Sequence, residues 1–510
     1  MDRADTQATS HAGEHRTREK DALAAVALIA LMLGGLAIER GWFLFQWPFW
    51  LDEYHTLFLA EKGSLARSMS DLAAGGDSNP PLLFVIFRLI AQFHPLTPMT
   101  VRIASFVMVW GALVFAFLTL RRTVPRSAAF IGAFAVWCHV LTLEEAFEAR
   151  FYGPWLLFAA LTAWSFGIDA MHSTSRRRNF TVAASAVLLC TIHYFGIFSL
   201  TLLVAGWACV IVGRRQECRR MLPILAGPAA LALCAPLFVG QRRALTVKTW
   251  IEPLNAAQVR EMLTTFYGRA PFLICVFFAC GAAAWYILGR PENRADPRIA
   301  LVEFLPLMFL LLMPVVIIVI SLLLQPSMLD RYAVSGLLGW AAVAALAAAA
   351  LPLSGRIGLG LFLFYLSLTP IKAWIDRVNY LEAKITNEVA QVRPFLDSGI
   401  PIFDPIRHSL YPIVYATEKP NQFVYPDFTD STAHQRDFSP LRILERDLAR
   451  VHNARYGFPR LLRVDDPNVP SDLLVFLPKP HPPSEIAEWF PGRNFAQVGP
   501  QMYRVFLRKP

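Results

Sequence analysis

The sequence predicts a polytopic α-helical membrane protein with a small α/β domain outside the membrane. Three observations predict it. Of 510 residues, 55% are hydrophobic and only 17% charged, with mean hydropathy +0.42, whereas a soluble domain carries about 25% charged residues. Apolar segments of roughly 17–25 residues, the length a helix needs to cross a bilayer, recur along the first three quarters. From about residue 375 the chain turns polar and proline-rich.

The elements follow in order. Residues 1–21 form a polar tail with Arg3, Arg16, Arg18 and Lys20, expected to be disordered and cytoplasmic. Segment 22–38 lacks a convincing cleavage site and reads as a retained signal anchor. Further spans are expected over 100–120, 127–143, 151–170, 180–194, 196–213, 221–239, 271–289, 299–324, 332–351 and 355–374. Segment 80–93 is too short to span comfortably, and Pro80-Pro81 suits a helix start. If it does not cross, the clusters Arg121-Arg122, Arg176–Arg178, Arg214-Arg215 and Arg219-Arg220, with Arg290, Arg294 and Arg298, all fall inside with the N-terminus. It is therefore read as an interfacial helix on the outer face, within a first external loop 39–99. About eleven spans result, giving a membrane domain over 22–374, an external basic loop over 240–270 and an external C-terminus.

In 375–510, the apolar runs Ile400–Phe403, Phe423–Tyr425, Leu473–Leu477 and Met502–Leu507 read as strands, and Leu441–Asn453 and Ser484–Phe490 as helices. Strands alternating with helices predict a small α/β domain. No internal repeat is evident, which weighs against the inverted-repeat architecture of many transporters.

Charge and cysteine content narrow the function classes. The net charge of +10 comes largely from short arginine clusters between apolar segments. The positive-inside rule accounts for that pattern, so nucleic acid is not the expected partner. The seven cysteines, at 138, 190, 209, 218, 234, 275 and 280, lie in or beside apolar segments without CxxC or metal-ligand spacing. They read as small apolar residues.

With this topology the unusual polar residues gather in the external loops. Asp52 and Glu53 stand just after the first span, in Trp47–His55, with Asp77 and Asn79 further along the same loop. Charges so close to a bilayer are costly unless they reach water or act. Either they cap a solvated loop helix, or one is a general base on an acceptor hydroxyl. Glu148 and Arg150, followed by Tyr152, form an ion pair at a boundary or orient a sugar or a catalytic acid. His193 and Tyr194 mark a tight hairpin, where the histidine is a satisfied core residue or a ligand group. The loop 240–270 is net basic, carrying Arg242, Arg243, Lys248, Arg260 and Arg269 against Glu252 and Glu261. It faces anionic lipid or binds phosphate. Arg331, between Asp330 and Tyr332 at the head of a late span, snorkels or grips a lipid-linked phosphate.

The order of these motifs carries a resemblance. Asp52-Glu53, Asn79-Pro80-Pro81-Leu82, Glu148-Ala149-Arg150-Phe151-Tyr152, His193-Tyr194-Phe195-Gly196 and Arg331-Tyr332 together resemble the GT-C superfamily of membrane glycosyltransferases. The likeness is to its branch of dolichyl-phosphate-mannose–protein mannosyltransferases and bacterial lipid A and envelope sugar transferases. It covers roughly residues 22–375. Asn79 departs from the histidine that many relatives carry before Pro-Pro.

The resemblance implies an inverting transfer of a sugar from a polyprenyl-phosphate carrier to an acceptor lipid, glycan or protein. The reaction would take place on the periplasmic side of a bacterial inner membrane. It implies Asp52 as the base, supported by Glu53, with Asn79, Glu148, Arg150, Tyr152, His193 and Tyr194 positioning sugar or acceptor. Lys248, Arg269, Arg331 and Tyr332 would hold the donor phosphate, which leaves as a stable anion. A divalent metal is neither required nor excluded. The competing expectations are a transporter or flippase of lipid-linked sugars and a non-catalytic envelope-assembly protein. A transporter needs polar residues near mid-membrane, and 221–239 and 299–324 are nearly free of them.

Overall fold

The computed structural model describes residues 19–35, 53, 56–57, 59–60, 64–145, 148–167, 176–211, 222–244, 253–268, 304–324, 326–403, 417, 422–426, 460–462, 470–476, 490, 493–500 and 502–506. The chain forms two compact units. One comprises Met1–Phe45, Arg102–Leu233 and Pro253–Trp374; the other comprises Gln46–Val101, Cys234–Glu252 and Ile375–Pro510. The span expected over 271–289 and the helices expected over 441–453 and 484–489 lie outside the described residues.

The first unit is helical. Its helices are α1 (19–35), α4 (Pro98–Leu120), α5 (Arg126–Trp137), α6 (Val140–Glu145), α7 (Tyr152–Gly167), α8 (Arg176–Ile192), α9 (Gly196–Ile211) and α10 (Ala226–Leu233). They are followed by α12 (Ala256–Tyr267), α13 (Phe304–Leu323) and α14 (Leu337–Ala349), which a 3-10 turn over Asp330–Gly336 precedes. Among the described residues, four segments are long and apolar enough to cross a membrane: Pro98–Leu120, Leu222–Arg243, Phe304–Leu323 and Asp330–Ala349. Many of their outward side chains, such as Val107, Val315, Val319 and Leu322, are apolar and exposed. Such a surface suits acyl chains and not water.

The cores of these helices close through small residues. A Cβ added to Gly132 of α5 would collide with the Ala341 carbonyl and the Ala345 side chain of α14, so this pair packs backbone to backbone. Asp21 at the start of α1 pairs with Arg121 at 3.0 Å and Arg126 at 3.4 Å. These contacts tie the polar end of α1 to the turn after α4, the two regions that charge distribution assigns to the same side.

Three expected spans differ in their details, and the one over 127–143 breaks into α5 and α6 at Cys138-His139. The segment 221–239 is interrupted: a 3-10 turn over Leu222–Leu225 leads into α10, and a second helix, α11 (Ala235–Ala244), begins after Cys234. Pro236 has no N–H to donate to the preceding turn, which explains the break. The last span, expected to end at 374, continues as the 40-residue helix α15 (Leu353–Val392).

In the second unit, α2 (Leu65–Ala73), α3 (Leu82–Ala91) and α11 accompany a six-stranded sheet. The expected short helix after Pro80-Pro81 is α3, whose N-cap is Pro81. Strands β1 (Ile402–Phe403), β2 (Phe423–Pro426), β3 (Arg460–Leu462), β4 (Asp472–Phe476), β5 (Asn494–Gly499) and β6 (Met502–Phe506) lie in the order β3-β2-β1-β4-β6-β5. The first four are mutually parallel, and β6 and β5 join antiparallel. Strand alternation sorts the side chains onto two faces. Ile402, Phe423, Leu474, Phe476 and Met502 pack with Val389 and Val392 of α15 on one, and Phe403, Val424, Leu473, Val475 and Val505 form the other. Burial on both faces explains why these strands read as continuous apolar runs.

Candidate functional site

The candidate residues fall into two groups, one in each unit. In the second unit, Glu53 is fully buried, and Asp77 and Asn79 are nearly so. Asp77 accepts hydrogen bonds at Oδ1 from the Ser78 N–H and the Asn79 Nδ2, each at 2.6 Å. The carbonyl of Asn79 accepts from Gln241 Nε2 at 2.9 Å. Ser68 donates to the Leu59 carbonyl at 2.7 Å, and Leu59, Leu72 and Phe84 pack into a small core beneath it. The described part of the first loop is thus folded and hydrogen-bonded. Asp52, Lys248 and Arg269 lie outside the described residues.

In the first unit, Glu148, Arg150, Tyr152, His193, Tyr194, Arg331 and Tyr332 come from three separate segments. Glu148–Tyr152 leads into α7. Ser105 Oγ donates to the Glu148 carbonyl at 2.8 Å and fixes that entry against α4. A Cβ on Gly153 would meet the Ser105 carbonyl at 2.9 Å, so the approach of α7 to α4 depends on a missing side chain.

Aromatic stacking joins the segments. The His193 ring, in the turn between α8 and α9, lies 4.1 Å from Phe151 and 4.6 Å from Trp155 between centroids. Tyr332 approaches it at 5.3 Å. The Arg331 guanidinium sits 5.8 Å from the Tyr152 ring centroid and that of Arg150 5.2 Å from Phe151, within the range of cation–π attraction. Beneath, Trp155 Nε1 donates to Ser199 Oγ at 3.1 Å, and Ser199 shares a hydrogen bond with Ser335 at 2.8 Å. The fully buried relay Trp155–Ser199–Ser335 ties α7 and α9 to the turn that bears Arg331.

The electrostatics of this cluster are skewed by burial. Glu145, at the end of α6, is buried. Desolvation first, then the like charge of Glu148, holds its carboxyl well above the usual range against the opposing pull of Arg331. Burial beside Glu148 thus favours the protonated form of Glu145. His193 moves the other way: burial, then Arg150 and Arg331, lower its pKa to about 3. A narrow crevice beside the cluster is lined by Thr142, Glu145, Tyr152 and Val334, among others.

Sequence reasoning gave Glu145 no role, and missed Gln241, Trp155 and the two serines. Glu145 carried a signal, the acid run Glu144-Glu145 before Glu148; Gln241, beside Arg242-Arg243, carried none. Among the described residues, no three His, Cys, Asp or Glu side chains are grouped as a metal ion would require.

The fold has counterparts among solved structures. The crystal structure of ArnT from Cupriavidus metallidurans bound to undecaprenyl phosphate matches with a TM-score of 0.61 at 12% identity, covering 94% of this chain and 97% of that one. The apo structure of the same protein matches with a TM-score of 0.62, at the same identity and coverage. No protein-family model matches the sequence, and no curated protein matches it. The chain thus has the fold seen in these ArnT crystal structures.

Proposed function

We propose that the protein is an inverting glycosyltransferase that moves a sugar from a polyprenyl-phosphate carrier to an acceptor on the outer side of the inner membrane. The observation that carries this reading is the full-length fold match to ArnT, whose crystal structure holds undecaprenyl phosphate, together with the five motifs in order.

In this reading Asp52 removes the proton from the acceptor hydroxyl as it attacks the anomeric carbon. The carrier phosphate leaves as an anion, so cationic groups replace a strong general acid. Arg331, Tyr332, Lys248 and Arg269 take that role. Glu53 supports the base, while Asn79, Glu148, Arg150, Tyr152, His193 and Tyr194 position sugar and acceptor. The 375–510 portion lies outside the membrane and contributes to acceptor choice.

The test is transfer itself. Purified full-length protein in lipid nanodiscs is incubated with polyprenyl-phosphate sugars and envelope lipid extract, and products are read by mass spectrometry and anomeric NMR. A product with inverted anomeric configuration is expected. Absence of transfer from every polyprenyl-phosphate sugar, with the missing glycan of a deletion strain traced to a nucleotide-sugar donor, would overturn the reading.

A further inference from the structure

Three neighbours fix Asn79 in its loop. Its side-chain Nδ2 donates to Asp77 Oδ1 at 2.6 Å, and its backbone carbonyl accepts from Gln241 Nε2 at 2.9 Å. Pro80 follows it and restricts its backbone. Asp77 Oδ1 also accepts the Ser78 N–H at 2.6 Å, so the Asn79 amide turns its nitrogen toward that oxygen. Asp77, Asn79 and Gln241 are all buried. Gln241 reaches the loop because its neighbour Gly240 has no side chain where a Cβ would meet the Ala73 carbonyl of α2 at 2.9 Å. The planar amide then leaves one group without a task. No described residue donates to Asn79 Oδ1. Nor is it among the partnerless atoms sealed inside the described residues, so an incoming group can reach it.

We propose that Asn79 Oδ1 is a pre-oriented hydrogen-bond acceptor for a sugar hydroxyl, and that Asp77 and Gln241 are the positioning residues that aim it. This rests on the glycosyltransferase reading and deepens it, by naming the atom and the group it takes. An amide oxygen accepts and cannot donate, so its ligand must bring the proton. The phosphodiester of a carrier-linked sugar has acceptor oxygens alone and would also approach the Asp77 carboxylate. A hydroxyl supplies a proton without charge. It belongs to the donor's sugar or to a glycan acceptor, and the chemistry is the same for both. Both ties on Asn79 are made without the ligand, so little ordering remains to be done on binding.

The test uses full-length protein in nanodiscs and two lipid probes: sugar-free undecaprenyl phosphate, and the polyprenyl-phosphate sugars extracted from the producing strain. Envelope lipid extract serves as acceptor. Asn79→Leu, similar in size and without the amide, should lose about three- to tenfold in donor affinity or in acceptor KM, and bind undecaprenyl phosphate as wild type does. A fall in donor affinity assigns the hydroxyl to the donor's sugar; a raised acceptor KM alone assigns it to the acceptor. Gln241→Leu should move the same constant by less, and the double variant should lose no more than Asn79→Leu, because Gln241 acts through Asn79. Asn79→His keeps an N–H for Asp77 and, while neutral, offers its other ring nitrogen as acceptor. Protonation turns that nitrogen into a donor and leaves the tie to Asp77 in place. Relative to wild type, this variant should therefore lose about three- to tenfold between about pH 8.5 and pH 6.

A folded Asn79→Leu with wild-type donor affinity and acceptor KM would overturn the proposal, as would an equal loss for sugar-free undecaprenyl phosphate. An Asn79→His variant that performs alike at both pH values would leave Asn79 as a structural tie to Asp77 alone. If that variant does not fold, the two leucine variants decide, and additive losses would remove Gln241 as a positioning residue. Wild-type protein that transfers sugar normally while Asn79→Leu matches it defeats only this proposal. Wild-type protein that transfers none of the extracted polyprenyl-phosphate sugars defeats the proposed function instead.

Discussion

The side chain of Gln241 donates to the backbone carbonyl of Asn79 at 2.9 Å, across 162 residues of chain. The residue is 2% exposed, so the bond is sheltered from water. The neighbouring Gly240 lies so close to α2 that an added Cβ would meet the Ala73 carbonyl at 2.9 Å. One short stretch of α11 thus holds both the Asn79-Pro80-Pro81 loop and the helix before it.

Gln241→Leu should therefore destabilise the protein by about 1–3 kcal/mol, the cost of leaving a buried carbonyl without its donor. Gly240→Ala should also destabilise, because the Ala73 carbonyl is backbone and must shift. Thermal unfolding in detergent checks both, and an unchanged melting temperature in Gln241→Leu would contradict this account of the loop.

Glu145 and His193 predict opposite pH dependences. The folded pKa of Glu145 is raised, by desolvation first and Glu148 next. The folded state therefore holds a proton that the unfolded chain releases above its ordinary value of 4.5. Stability falls as pH rises from there toward the folded pKa. Glu145→Gln, neutral and nearly isosteric, should remove that decline and leave neutral-pH stability unchanged or higher.

For His193 the folded pKa is lowered from 6.5 to about 3. Its contribution is complete above 6.5 and is lost as pH falls toward 3, with a slope of about 1.4 kcal/mol per pH unit. Denaturation curves of wild type, Glu145→Gln and His193→Gln between pH 4 and pH 8 separate the two effects. Identical pH profiles for all three proteins would contradict both assignments.

The C-terminal end of α12 is held by a carbonyl with two donors: that of Phe266 accepts from His139 Nε2 at 3.1 Å and Trp340 Nε1 at 3.0 Å. Trp340→Phe should cost about 0.5–1.5 kcal/mol in hydrogen bonding, since His139 still satisfies the carbonyl. Combining it with His139→Phe should cost more than the sum, because only then is the acceptor orphaned. A double-mutant cycle on thermal stability reads the coupling, and strict additivity would count against the shared-carbonyl account.

Physical signal strength explains what was legible in the sequence. Strands β1, β2, β4 and β6 sit inside the sheet, carry apolar side chains on both faces and so stand out from a polar background. β3 and β5 are the edges of the sheet, and the exposed pattern of β5 gives no alternation to read. α15 passes residue 375 unseen because its apolar character contracts there to one face, where Val389 and Val392 meet the sheet. The motif residues around His193 were legible because charges and aromatics are rare beside apolar segments. Trp155, Ser199 and Ser335 look like ordinary helix residues, and only packing brings them together.

The most direct measurement is the rate of sugar transfer from a polyprenyl-phosphate donor by purified Asp52→Asn in lipid, beside wild type of equal thermal stability. Asparagine keeps the shape of the side chain and cannot take a proton. Loss of a general base costs about 10²–10⁴-fold, and the account predicts a fall of that order in turnover with donor affinity preserved. Transfer at a near wild-type rate by a correctly folded Asp52→Asn would contradict the assignment of Asp52 as the base.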